Sequence, residues 1–154
     1  MAYTDPLTGL GNLYRLRDKV RQIAQEREED PAPFAIGIAN LCQVAHRLKA
    51  CIPDGATVTR HGGDEFAFVL PLVFERKGAE KIGQMLREVL SAPFDLGDRN
   101  VRLSASFGFA IYPFAGEDFT ELLKSADTAL YRSKRRGRGQ ITVYSQEIAQ
   151  EMKR

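Results

Sequence analysis

A pair of adjacent glycines between two β-prone stretches is the sequence feature that most constrains the fold. The stretches at residues 57–60 and 65–70 are rich in β-branched and aromatic residues, and His61-Gly62-Gly63-Asp64 joins them. Paired glycines reach the positive φ values of a tight hairpin turn without steric cost. A hairpin is antiparallel, so the sequence predicts a β-hairpin here and excludes a purely parallel doubly wound sheet.

Hydrophobic periodicity places helices and further strands around this hairpin. Apolar residues that recur at spacings of three and four predict amphipathic helices at residues 11–28, 41–50, 77–90 and 120–135. Apolar, β-branched and aromatic runs predict strands at residues 34–41, 99–112 and 141–144. Gly137 follows the last long helix and is a natural left-handed cap. The pattern predicts an α+β fold in which a mostly antiparallel sheet is flanked by helices.

Composition limits the number of domains and the kinds of molecule that the chain is expected to bind. The chain has 154 residues, 44% of them apolar, which is enough for one domain with one sizeable core. Lys and Arg total 22 against 20 Asp and Glu, so no broad cationic surface is expected and nucleic acid is not an expected partner. Strand-sized apolar runs and a polar amino end predict neither a membrane span nor a secretory signal, which makes the cytoplasm the expected compartment. Cys42 and Cys51 are interpreted as reduced thiols, with a disulfide as the alternative.

The hairpin tip combines two glycines with two carboxylates, and few structural needs explain that combination. Gly62 and Gly63 let a ligand approach the backbone without obstruction by a Cβ atom. Asp64 and Glu65 supply hard oxygen donors of the kind that Mg²⁺ prefers. On these residues alone, a polar hairpin with solvated acidic side chains is the alternative.

Several segments carry a resemblance to one known family. The sequence RHGGDEF at residues 60–66 is similar to the signature of the GGDEF domain family. Other segments resemble family motifs in the same order: DPLTGLGN at 5–12, SASFGFAIYP at 104–113, and ADTALYRSK at 126–134 followed by Gly137-Arg138. The resemblance therefore covers nearly the whole chain.

The resemblance implies a fold, a reaction and a set of ligands. The fold is a sheet like that of nucleotidyl cyclases and polymerase palms. The reaction condenses two GTP molecules, each presented by one of two facing domains, to cyclic di-GMP, while Mg²⁺ stabilises the developing charge. A guanine nucleotide such as GTP, Mg²⁺ bound with it, and a homodimer are therefore the implied ligand, cofactor and assembly.

The same resemblance implies roles for the hairpin residues. Asp64 would be a Mg²⁺ ligand, and Glu65 would be the second signature acid, supporting the metal and catalysis. Gly62 and Gly63 would lie against the nucleotide.

Two basic residues near the end of the last long helix complete the implied site. Lys134 and Arg138 are four residues apart, and the matching family positions contact the triphosphate. The alternative is a solvated basic helix end that is favoured by the helix macrodipole.

The strand at residues 34–41 departs from the family pattern at its end. Aligning FAIGIANL with the family strand puts Asn40 at the metal position, where an active member carries an aspartate, and an amide brings no negative charge. The family segment that follows, which supplies guanine-recognising side chains and phosphate contacts, is missing because residues 41–48 already resemble the later part of the next helix. Pro53 and Ala56 also replace the Arg and Asp of the family's product-inhibition site. These departures predict a catalytically degenerate, regulatory domain, whereas the intact signature favours the alternative of a working diguanylate cyclase.

The carboxyl end resembles the helical connector that leads from a GGDEF domain into an EAL phosphodiesterase domain. We therefore expect a GGDEF domain over residues 1–145 and the start of a connector helix over 146–154, with a neighbouring EAL or sensor domain as a partner. An ordinary amphipathic terminal helix is the alternative. The sequence leaves open whether the segment missing after Asn40 is a natural deletion or an omitted loop.

Overall fold

The computed structural model describes residues 11–26, 33–40, 55–62, 65–91, 94–95, 100–101, 105–137 and 139–152. The helices among them are α1 (Leu13–Glu26), α2 (Arg76–Ser91), α3 (Phe119–Arg135) and α4 (Gln146–Met152). The strands are β1 (Gly11–Asn12), β2 (Phe34–Asn40), β3 (Thr57–Gly62), β4 (Glu65–Leu70), β5 (Phe94–Asp95), β6 (Asn100–Val101), β7 (Ser106–Tyr112) and β8 (Ile141–Val143).

Most of the described strands form one sheet in the order β1-β3-β4-β2-β7-β8. The central pairings, β3 with β4, β4 with β2 and β2 with β7, are antiparallel, and the two outer pairings are parallel. Strands β3 and β4 make the predicted hairpin, with a shift of register between Arg60 and Gly62 near its tip. The predicted α+β fold with a mostly antiparallel sheet is therefore confirmed.

Two predictions about single elements are wrong. The single strand predicted at 99–112 is two strands, because β6 pairs with β5 in a separate ribbon whereas β7 joins the main sheet. The helix predicted to start at Gly11 begins at Leu13, because the two residues before it form β1 and pair with β3. The first difference arises because β6 turns back on the nearby β5 while β7 pairs with the distant β2, and the second arises from pairing with the distant β3. Local periodicity reports none of these pairings. The helix predicted at 41–50 and both cysteines lie outside the described residues.

The sheet is covered by an apolar layer on each face. Successive strand residues point to opposite faces, so Ile36 and Ile38 of β2 pack with α1 and α3, whereas Ala35 and Ala39 pack with α2. Fully buried side chains in the two layers include Leu16, Phe68, Leu86, Phe107 and Phe109. Burial of each such large side chain stabilises the fold by about 1.5–3 kcal/mol. The two layers therefore fix the positions of the strands, and of the residues at the strand ends, relative to one another.

Helix α3 packs directly on the backbone of β7. A Cβ atom at Gly108 would collide with the carbonyl oxygen of Ala126 in α3, so the two backbones meet without a side chain between them. The buried Ser133 hydroxyl donates a hydrogen bond to the Phe107 carbonyl oxygen (2.8 Å) and shares a second with the Thr142 hydroxyl (2.7 Å). We call these contacts the α3–β7 seam. They fix the last turn of α3 against the sheet.

Both ends of α3 are capped by local sequence. The Asp118 side chain accepts a hydrogen bond from the Glu121 amide (2.8 Å), which satisfies one of the free amides at the helix start. Gly137, just beyond the helix, has a φ of +100°, which confirms the predicted left-handed cap. The helix therefore ends at a defined position.

Helix α4 packs on α3 near the carboxyl end of the chain. Its Ile148 side chain is buried, and Glu151 Oε2 lies 2.7 Å from Arg132 Nε of α3. Across the described residues, the helices are too short or too polar to span a bilayer.

Candidate functional site

Four residues on neighbouring strands form a row at the end of the sheet that carries the hairpin turn. Asn40, the last residue of β2, pairs with Glu65 of β4 on one side and with Ser106 of β7 on the other. Glu65 in turn pairs with Gly62 of β3. Neighbouring strands lie about 4.7–4.9 Å apart, so these residues are immediate neighbours. We call them the hairpin row.

Lys134 approaches this row from the last turn of α3. Its Nζ lies 3.7 Å from Glu65 Oε1, with the two side chains 37% and 28% exposed. The α3–β7 seam explains the approach, since the residue before Lys134 is hydrogen-bonded to Phe107, the strand neighbour of Ser106. The lysine that the sequence predicts as a triphosphate contact therefore lies beside the hairpin.

Ser106 is a member of the row that the sequence analysis did not single out. Its side chain is buried, and its hydroxyl oxygen accepts a hydrogen bond from the Gly139 amide (3.1 Å). This bond ties the chain just after α3 to the row. A serine within an otherwise apolar strand was the available signal, but only the register of β7 with Asn40 gives that serine a place in the site.

The structure brings several of the predicted site residues together. They are Asn40, Gly62, Glu65 and Lys134. Gly63, Asp64 and Arg138 lie outside the described residues. Lys134 contacts Glu65, so its side chain is not solely surrounded by solvent. The chemical roles of all these residues stay predictions.

The described part of the hairpin row does not suit a divalent cation. Mg²⁺ demands several oxygen ligands, usually with carboxylates among them. Glu65 is the carboxylate of the row, and an ammonium lies 3.7 Å from it, while Asn40 brings an uncharged amide. Among the residues that the structure describes, no group of three or more His, Cys, Asp or Glu could hold a metal ion.

Comparison with known proteins places the chain beside one set of signalling domains. A family model described as "Diguanylate cyclase, GGDEF domain" matches residues 35–140. The bifunctional diguanylate cyclase/cyclic di-GMP phosphodiesterase MucR of Pseudomonas aeruginosa is 32% identical, over 90% of this chain and 23% of MucR. The cyclic di-GMP phosphodiesterase PdeR of Escherichia coli is 29% identical, over 97% of this chain and 25% of PdeR. The chain thus spans about a quarter of the length of these relatives.

A solved structure shares the fold closely. The GGDEF domain of TpbB (also called YfiN) from Pseudomonas aeruginosa matches with a TM-score of 0.89 at 23% identity. The match covers 98% of this chain and 99% of that one. At this level of identity the match is one of fold.

The alignment lengths show that this chain is shorter than its relatives over the matched region. The MucR alignment runs over 157 residues but takes in 90% of the 154 residues here, which is about 139. The PdeR alignment runs over 167 residues and takes in 97%, which is about 149. In both cases about 18 aligned positions have no residue in this chain.

Proposed function

This chain belongs to the GGDEF domain family of cyclic di-GMP signalling, and from that premise we propose that it is a regulatory module whose cyclase site is degenerate. The observation that carries the proposal is the place of Asn40 in the hairpin row, directly across from Glu65. By resemblance this is the position of a metal-binding aspartate. An amide there supplies no charge to hold the metal on which the family's chemistry depends.

The length difference supports the same proposal. The segment that the sequence analysis finds missing follows Asn40, and it would carry the guanine-recognising side chains. About 18 aligned positions without a residue in this chain agree in size with a loop and the start of a helix. Each 1.4 kcal/mol of lost transition-state stabilisation lowers the rate about tenfold, so losing a metal ligand together with base recognition leaves negligible turnover.

Residual nucleotide binding is the second part of the proposal. Asp64, Glu65, Lys134 and Arg138 are the residues that would retain contact with a guanine nucleotide such as GTP. The position of Lys134, 3.7 Å from Glu65 and attached to a fixed helix end, supports this reading. Such binding would let the domain regulate a neighbouring domain in response to the nucleotide without converting the nucleotide to product.

A turnover assay tests the degenerate site. The purified chain, incubated with GTP and Mg²⁺, is expected to yield cyclic di-GMP at least about 1,000-fold more slowly than a relative named as a diguanylate cyclase, because several losses of about 1.4 kcal/mol multiply. Mass spectrometry of the nucleotides measures the product. Asn40→Asp alone should not restore the rate, because the missing segment stays missing. Turnover equal to that of the active relative would establish the alternative, a working diguanylate cyclase, which the intact signature at residues 62–66 favours.

Calorimetric titration with GTP tests the residual binding. A measurable heat that disappears in Asp64→Ala supports a nucleotide contact at the hairpin. A heat that is unchanged in this variant would place the nucleotide elsewhere.

We further propose that residues 1–145 form the GGDEF domain and that 146–154 begin a connector to a neighbouring domain of the EAL phosphodiesterase class. MucR and PdeR, both named as phosphodiesterases, are about four times as long as the matched region. Helix α4 begins at Gln146, where the connector is expected. The full reading frame decides this: an EAL domain after residue 154 supports the proposal, and its absence contradicts it.

A further inference from the structure

We propose that the end of the sheet farthest from the hairpin row docks a second copy of this chain. Asn40 marks the row at one end of β2, and Phe34 marks the other end, where it pairs with Tyr112 of β7. The length of β2 separates the two ends by about 20 Å. A copy docked there leaves the candidate nucleotide site uncovered, so the proposal goes beyond the proposed function and does not depend on it.

A groove lined mostly by apolar side chains, which we call the apolar groove, lies at this end of the sheet. Its volume is about 470 Å³, within the range of about 300–1,000 Å³ that is usual for binding pockets. The groove lies where β7 and β8 end and where α2 and α4 begin. Among the described residues, its large apolar side chains are Phe74, Ile111, Phe114, Val143 and Tyr144, and its charged residues are Glu75 and Arg76.

Three large apolar side chains at and beside the groove are exposed to solvent. Phe114 is 78% exposed, Leu72 71% and Phe74 49%, and the first two are the most exposed large apolar side chains in the described part of the chain. Leu72 and Phe74 follow β4 and Phe114 follows β7, and the antiparallel pairing of both strands with β2 brings these residues to the same end. Exposed apolar residues scattered singly are normal, whereas a cluster of this kind marks an interaction surface.

The shape of this surface suits a second copy. In a two-fold dimer the same patch serves both subunits, so the patch must be complementary to itself. Phe114 projects from the rim of the apolar groove, since it lines the groove and is mostly exposed. Each copy therefore offers a projecting aromatic side chain and, next to it, a cavity that can receive one. Aromatic side chains that fill such pockets are typical anchors of protein–protein interfaces.

The charges of the rim favour the same occupant. Glu75 and Arg76 are adjacent, so the rim carries both signs, and a two-fold arrangement can pair each Glu75 with Arg76 of the partner subunit. Arg76 Nε lies 2.9 Å from Glu80 Oε1, which orients the guanidinium while its remaining N–H groups can donate to a second carboxylate. A rim of one sign would instead repel a second copy.

Sedimentation velocity of the purified chain over a range of concentrations tests the proposal. The wild-type chain is expected to form dimers reversibly, and Phe114→Ser is expected to raise the dissociation constant at least about tenfold, because it removes the anchor. Tyr131→Ser is the matched control, since Tyr131 is a 54% exposed aromatic residue of α3 outside the groove. This control should leave the dissociation constant unchanged. Circular dichroism confirms that each variant is folded.

Charge reversal tests the two-fold pairing. Glu75→Arg and Arg76→Glu each place like charges opposite each other, so each variant alone should dimerise more weakly than the wild type. An equimolar mixture of the two variants brings opposite charges together again, and its dimers should be about as stable as those of the wild type. A mixture that associates as weakly as the single variants would contradict the pairing of Glu75 with Arg76.

Two results would overturn the proposal. One is a chain that stays monomeric at every concentration, and the other is a dimer that Phe114→Ser does not weaken. Such a dimer would form elsewhere on the chain, for example in the facing arrangement that the family resemblance implies. Neither result bears on the degenerate site, because turnover and nucleotide binding are measured separately. Production of cyclic di-GMP at the rate of active relatives would remove the proposed function and leave this proposal intact.

Discussion

The α3–β7 seam and the hairpin row lie next to each other, yet their residues differ in burial and in their importance for the fold. The seam is buried, with a glycine that a side chain would disrupt and a serine whose hydroxyl is fully bonded. The row consists of strand-end residues, and the ion pair that its Glu65 makes with Lys134 is partly exposed. The seam is needed for the fold, whereas the row could change without loss of the fold. A chain can therefore retain the fold of the family while the residues of the site change.

The largest expected effect is at Gly108, where the comparison predicts a severe loss of stability. Gly108→Ala places a methyl group against the backbone of α3, which cannot rotate away as a side chain could. We expect the free energy of unfolding, measured by urea denaturation, to fall by about 3 kcal/mol, the upper end of the usual cost of overpacking.

A second glycine substitution is the control for this prediction. Gly78 lies within α2, where an added Cβ would meet only the Val73 side chain at 3.3 Å. Gly78→Ala should be neutral or stabilising by up to about 1 kcal/mol, because alanine is the better helix former. If Gly108→Ala were as mild as Gly78→Ala, the seam would not be rigid.

A smaller effect is expected at Ser133. Ser133→Ala leaves the Phe107 carbonyl oxygen and the Thr142 hydroxyl without this partner inside the protein. Loss of a buried hydrogen bond of this kind costs about 1–3 kcal/mol, again read from urea denaturation. Thr128→Ala is the matched control, since its hydroxyl bonds the Lys124 carbonyl on the exposed face of the same helix. It should change stability by less than about 0.5 kcal/mol.

The smallest effect on stability is expected at Lys134, which contacts Glu65 of the hairpin row. Lys134→Met removes a partly exposed ion pair, and such pairs contribute about 0–1 kcal/mol. We expect the urea midpoint to shift by less than that of Ser133→Ala. A loss larger than that of Ser133→Ala would make Lys134 part of the scaffold and would erase the distinction between seam and row.

Local signals in the sequence predicted the elements of this fold well. The glycine pair predicted the β3–β4 hairpin, and Gly137 predicted the left-handed cap of α3. Hydrophobic periodicity placed α2 and α3 to within a residue at each end, because both helices bury one continuous apolar stripe. These features depend on residues close together in the chain.

Features that depend on distant residues were not predicted. The start of β7 is set by its pairing with the distant β2, which local composition does not specify, whereas β6 turns back on the nearby β5. For the candidate site, the resemblance identified Asn40, Glu65 and Lys134. It did not predict that Asn40 pairs with Glu65 or that Lys134 contacts Glu65. Gly108 stands alone in a strand, a pattern that often marks close backbone approach, yet its partner in α3 is found only in the structure.

The lengths of the outermost strands bear on how copies of this chain behave toward one another. An exposed strand edge offers unpaired amides and carbonyls that another chain can extend into a shared sheet. One outermost strand of the described sheet, β8, has 3 residues and is bounded on both sides by described residues outside the sheet, whereas β2, β3, β4 and β7 have 6 or 7. Such a short edge strand offers few backbone groups to a strand of another chain, so the β8 edge disfavours aggregation by strand pairing.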